Sequence, residues 1–145
     1  MAQTDPRRLV GALGEDLARR HLEARGFEVL DANFRTRHGE LDIVVADDRC
    51  LVFCEVKTRV AARAPARESC APASRPRGDE PGDALGPFAA IGVCKRRQVR
   101  QMAREWLGLR GREAPWREEV RFDAIGIEFD PGGRLIRLDH LEGAF

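Results

Sequence analysis

The chain has 145 residues, with 25 Lys+Arg against 24 Asp+Glu, a formal net charge of +1 and 43% hydrophobic residues, a balance that excludes a wholly disordered chain. A chain of this length buries roughly 70% of its unfolded surface, so a core forms without disulfide or metal staples. Near-neutrality also means that any nucleic-acid reading must rest on local charge.

No apolar run approaches the roughly 18 residues that cross a bilayer, and the N-terminus lacks the apolar stretch of a signal peptide, so a cytoplasmic protein is expected. Cys50, Cys54, Cys70 and Cys94 form no CxxC pair, and His21, His38 and His140 lack metal-ligand spacing. They read as reduced thiols, with Cys50 and Cys54 packed inside an apolar run.

In chain order, Asp5 and Pro6 look like an N-cap and first helical residue. Val10, Leu13, Leu17 and Ala24 recur at helical spacing until Gly26 stops the helix. Glu15 lies beside that stripe, on the Ala18 and Leu22 flank, where its carboxylate would project from the core edge toward a sheet. An exposed glutamate is the plainer alternative. Phe27–Leu30 reads as a short strand and Asn33–Gly39 as a polar connection. Two stronger strands follow, over Glu40–Val45 and Cys50–Lys57, joined by an Asp47-Asp48-Arg49 turn.

From Thr58 to Gly86 apolar periodicity vanishes amid Ala, Arg, Pro, Ser and Gly, the mark of a flexible loop within a single domain spanning 1–145. Beyond it, Val99, Met102, Trp106 and Leu109 form the stripe of a second helix, whose remaining surface is crowded by Lys95, Arg96, Arg97, Arg100 and Arg104. Val120–Phe129 and Leu135–Leu138 are strand-like, with Asp130-Pro131-Gly132-Gly133 as the turn between them. The order αβββαββ predicts an α/β fold.

The chemistry concentrates in the central hairpin. Midway between Asp42 and Glu55 lies the Asp48–Arg49 bond, so a tight turn there sets those carboxylates opposite each other and Glu40 opposite Lys57. Residues two apart share a face, which would gather Glu40, Asp42, Glu55 and Lys57, unless a bulge spoils the register. Facing carboxylates repel and raise one another's pKa, and a divalent cation relieves this. Carboxylates, a backbone carbonyl and waters suit octahedral Mg²⁺, with Mn²⁺ as substitute, and such an ion can hold a phosphate oxygen and acidify water. Lys57 would stabilise charge building on a phosphate, and Glu15 could complete the metal shell. The bland alternative is a cross-strand salt bridge on a solvated face. Against it, Glu55 and Lys57 interrupt one of the most apolar strands, where charge is costly.

Gly14-Glu15, Asn33-Phe34-Arg35, Gly39-Glu40-Leu41-Asp42-Ile43 and Leu51–Arg59 closely resemble the YraN-like family of uncharacterised bacterial proteins, thought to be endonucleases. The likeness continues through Ala90–Arg97, Arg121-Phe122-Asp123 and His140–Phe145. It implies a restriction-endonuclease-like core, a mixed sheet flanked by helices, of the type found in archaeal Holliday-junction resolvases. It also implies a catalytic set of Glu15, Asp42, Glu55 and Lys57, with metal on Asp42, Glu55 and Glu15. Glu40 matches as well, either touching the metal or pairing with Lys57. Two features depart from the family pattern: the long segment after Glu-x-Lys, and Cys54 in place of a valine-like residue. The expected activity is metal-dependent hydrolysis of phosphodiesters in DNA, including branched or damaged forms, with Lys95, Arg96, Arg97, Arg100 and Arg104 meeting phosphates. The alternatives are a nucleic-acid-binding module with little cleavage activity and an interaction domain in which the cluster is only a salt-bridge network. Analogy with resolvases suggests a homodimer.

Overall fold

The computed structural model describes residues 6–61, 93–114 and 116–145. Helix α1 (Pro6–Ala24) is followed by strands β1 (Glu28–Thr36), β2 (Gly39–Ala46) and β3 (Cys50–Val60), helix α2 (Val93–Arg110), and strands β4 (Glu119–Phe129) and β5 (Leu135–Leu141). The expected order αβββαββ is observed. The strands form one sheet in sequence order, antiparallel except for the parallel β3–β4 pair that α2 spans.

α1 ends in a Schellman-type cap: Gly26 adopts φ 91° and Phe27 N–H donates to Leu22 O at 3.1 Å. Its buried face is Gly14, Ala18 and Leu22, flanked by half-buried Val10 and Leu17. The expected stripe is thus rotated. Leu13 is 54% exposed and Ala24 is exposed, because the sheet meets α1 along its small residues. A Cβ on Gly14 would lie 2.0 Å from Thr58 Oγ1, so a glycine is what lets the helix cross β3 this closely.

The short first strand is also corrected, since β1 continues through Asn33 to Thr36 and only Arg37 and His38 turn the chain. Its polar residues still form ladder bonds to β2, although the register shifts between Val29 and Asp31 and Asn33 sits at φ 54°. The Asp47–Arg49 turn is held by Asp47 Oδ1, which accepts from Arg49 N at 2.8 Å and Cys50 N at 2.7 Å. Thr58, Arg59 and Val60 extend β3 instead of opening a loop, because β4 pairs with it as far as Val60 and Phe129. Residues 62–86 of that loop, with Cys70, lie outside the described residues, as does Asp5.

Two cores cover the two sheet faces. Beneath α1, Ala18 and Leu22 meet Ile43, Val45, Val52, Cys54, Ile125 and Ile127. Beneath α2, Val99, Met102, Ala103 and Trp106 meet Leu41, Val44, Leu51 and Phe53. Leu109 is 71% exposed, so the second stripe stops at Trp106. The buried indole donates to Asp31 Oδ2 at 2.9 Å, and Phe53 lies between Trp106 and Phe122. Cys50 and Cys54 are buried free thiols, as expected, whereas Cys94 is an exposed one. Among the described residues no helix is long and apolar enough to cross a membrane.

Candidate active site

The β2–β3 ladder has the expected register but pairs only Ile43–Ala46 with Leu51–Cys54. Beyond it the strands part: β2 stays with β1 down to Gly39, while β3 stays with β4 to Val60. Asp42 and Glu55 are the next positions on either side of this fork. Asp42 Oδ2 accepts the Val56 N–H at 2.7 Å, replacing a ladder bond with a side-chain one. Side-chain alternation changes at the same place, for Leu41 joins the α2 core and Ile43 the α1 core.

Glu55 is only 3% exposed, and its Oε1 receives two ammoniums, Lys57 Nζ at 2.8 Å and Lys95 Nζ at 3.0 Å. Asp42 lacks such compensation. Burial first, then the charge of Glu55, push its carboxyl up to about 7, with Glu15 adding to the rise and Val56 N–H and Lys57 opposing it. Burial and the nearby Glu40 also raise Glu15, against a hydrogen bond from Asn33. With its amide nitrogen turned inward, Asn33 lies 3.0 Å from Glu15 Oε2 and 2.9 Å from Glu40 Oε1, and only this orientation suits both acceptors.

Two clefts meet at Glu15. One, of about 530 Å³, runs between the start of α1 and the end of β3 past Lys57, Thr58 and Arg59. The other, of about 310 Å³, is lined by Glu15, Asp16, Asn33 and Asp42. Both clefts open beside α1, next to Asp42 and Lys57.

The structure brings together Glu15, Asp42, Glu55 and Lys57. It does not place Glu40 opposite Lys57: the strands have separated before that position, and Glu40 turns to Asn33 and to Arg35, 3.6 Å away. Arg96, Arg97, Arg100 and Arg104 are exposed along α2, with Arg100 stacked over Phe122, whereas Lys95 turns inward to Glu55. Sequence reasoning missed Asn33 as a bridge and set Lys95 among the phosphate-binding residues of α2, not at Glu55. Their faint signals are an asparagine, a residue that tolerates positive φ, and a basic first helical turn with no acid in it.

Among the described residues no three His, Cys, Asp or Glu side chains are gathered closely enough to hold a metal ion unaided. A hard cation such as Mg²⁺ needs only one or two protein carboxylates, because it keeps several waters. Asp42 and Glu55 supply that all-oxygen donor class, and the carboxyl of Asp42 is raised by burial first and by the charge of Glu55 second, the part that a cation would relieve.

Topology and site together define an α/β protein with a restriction-endonuclease-like core. Residues 14–127 match the model of "Uncharacterised protein family UPF0102", and the chain belongs to that family, the YraN-like one. UPF0102 proteins of Frankia casuarinae and Mycolicibacterium gilvum are each 39% identical to it, over 94% and 99% of this chain and 95% and 98% of their own. One from Nocardia farcinica is 33% identical over 100% of this chain and 95% of its own.

Proposed function

We propose that the protein is a metal-dependent endonuclease that hydrolyses phosphodiester bonds in DNA, with branched or damaged structures as its substrates. The observation that carries this reading is the fork itself, where the buried Glu55 and the half-buried Asp42 of opposite strands meet beside a lysine and Asp42 is raised to about 7. Glu55 is paired with two lysines, whereas Asp42 lines a cleft beside it with no ion pair of its own among the described residues, and an acid so placed is a candidate cation ligand.

Asp42 and Glu55 would hold Mg²⁺ or Mn²⁺, with Glu15 and its Asn33 partner shaping the water around it. The ion, when bound, supplies Lewis acidity at the scissile phosphate and lowers the pKa of water. Lys57 lines the larger cleft and donates toward the phosphate oxygens on which charge builds. Glu40 acts through Asn33, away from the reacting atoms. The exposed arginines 96, 97, 100 and 104 bind neighbouring phosphates.

A Mn²⁺-supplemented cleavage screen over single-stranded, duplex, flap and four-way-junction DNA, run beside Glu55→Ala, tests this. Structure-dependent cleavage lost in the variant is expected, and undiminished activity in Glu55→Ala overturns the assignment. The exposed basic face of α2 favours a second reading, a nucleic-acid-binding module without robust cleavage. Binding with no cleavage in any metal would select it.

A further inference from the structure

We propose that Lys95 is the resting counter-ion of Glu55, which a divalent cation must displace in order to bind, so that metal occupancy of the fork and the charge of the α2 face are coupled. The inference rests on the reading of the fork as a metal-dependent site. It concerns a residue that the Glu-x-Lys pattern does not contain.

The geometry is specific. One oxygen of a nearly fully buried carboxylate carries two ammoniums, at 2.8 and 3.0 Å. A single lysine already neutralises Glu55, and the second makes the trio net positive while crowding like charges onto one atom. Asp42, which interacts with both Glu55 and Lys57, adds negative potential beside this trio when it is ionised. Lys95 thus helps to do, from the protein, what a cation would do at the fork.

The two lysines are not held alike. Lys57 belongs to the same strand as Glu55, with its backbone paired to Gly126 in the β3–β4 ladder. Lys95 reaches across from the first turn of α2, which contains no acidic residue and continues into Arg96 and Arg97. Helix N-termini disfavour cations, so the pairing with Glu55 is what compensates the position of Lys95. A divalent ion arriving on Glu55 converts that attraction into repulsion, and the helix-borne lysine is the weaker-held partner. Once released, its ammonium joins the exposed arginines of α2 and strengthens their hold on phosphate. By linkage, phosphate binding on that face then favours metal at the fork to the same degree.

Calorimetric titration of MnCl₂ into the wild-type protein, Lys95→Met, Lys95→Gln and Lys95→Arg, without DNA, tests the proposal. Circular dichroism confirms the fold of each variant, and Gln serves if Met fails to fold. Removing the ammonium is expected to tighten Mn²⁺ binding on the order of tenfold, as loss of one adjacent like charge does in a partly solvated site. Lys95→Arg should keep the weaker affinity. Heat that appears only in the neutral variants would support the proposal most strongly. Equal or weaker affinity in Lys95→Met and Lys95→Gln overturns it while leaving the metal site standing. No heat in any of the four proteins overturns the metal reading and this inference together.

Discussion

Two aspartates at different places on the same sheet, Asp123 fully buried and Asp42 half-buried, behave in opposite ways. Asp123 on β4 is fully buried, yet Arg121 donates to it twice, at 2.8 and 2.9 Å, and His140 Nε2 and Gly143 N–H add bonds at 2.8 and 3.0 Å. Burial alone would raise its carboxyl, but these donors outweigh it and hold it below the ordinary range. The network continues outward. His140 Nδ1 faces Arg25 at 2.8 Å and His21 at 3.1 Å, and Glu142 receives Arg25 at 2.6 Å and Arg121 at 3.2 Å. It ties the chain's last strand to the end of α1. Asp42, by contrast, accepts one backbone N–H and faces two other carboxylates. Burial with donors on every side makes a fastening, and burial among like charges makes an uncompensated field that chemistry can use.

The comparison breaks most sharply on removal of each carboxylate. Asp123→Ala leaves Arg121 and His140 without their acceptor and should cost about 3–5 kcal/mol, measured by urea denaturation. An intermediate effect is expected where α1 crosses the sheet. Gly14→Ala improves helix propensity but drives a methyl group into Thr58, whose Oγ1, Cβ and Cγ2 lie 2.0, 3.0 and 3.1 Å from it. Net destabilisation of about 1–3 kcal/mol should follow.

Asp42→Asn should act in the reverse direction, stabilising the protein at pH 8 by on the order of 1 kcal/mol while abolishing Mn²⁺ binding. The pH dependence distinguishes the two sites further. Asp42 is raised from 3.8 to about 7, so the folded state holds a proton that the unfolded state has lost, and its contribution to stability falls as pH rises through that window. Asp123 is lowered, so its contribution is present above 3.8 and disappears on acidification below it. Thermal melts of wild type and Asp42→Asn from pH 4 to 8 should show a markedly steeper fall with pH in the first protein, the variant keeping only the smaller contribution of the raised Glu15.

The smallest stability effect belongs to the solvated face of α2. Charge reversal of Arg96 and Arg100 should change stability by only about 0.5–1 kcal/mol, chiefly because Arg100 no longer stacks on Phe122. The same changes should weaken DNA binding and reduce its salt slope by roughly 1 for each phosphate that is no longer neutralised. An unchanged salt slope would remove this face from the interface.

Much of the frame was legible in local pattern. Gly26 announced the end of α1, Asp47 the hairpin turn, and the position of Asp42 and Glu55 about that turn their register. Other features were hidden for definite reasons. The polar residues of β1 obscured a strand whose bonds are made by its backbone, Leu13 lies off the small-residue face that α1 turns to the sheet, and Leu109 lies past the last buried turn of α2. Glu40 looked like a partner of Lys57 because a register read from a turn assumes that two strands stay together.

The sequence by itself therefore determined the elements, the hairpin register and the candidate acids, because helical and strand periodicities and turn residues act over a few positions. Only the tertiary structure decided that the strands fork at Asp42, that α2 returns a second lysine to Glu55 from 40 positions away along the chain, and that Asp123 is compensated where Asp42 is not. Those outcomes depend on which charges the packing of two helices on one sheet brings within a few ångströms, and no local spacing encodes that.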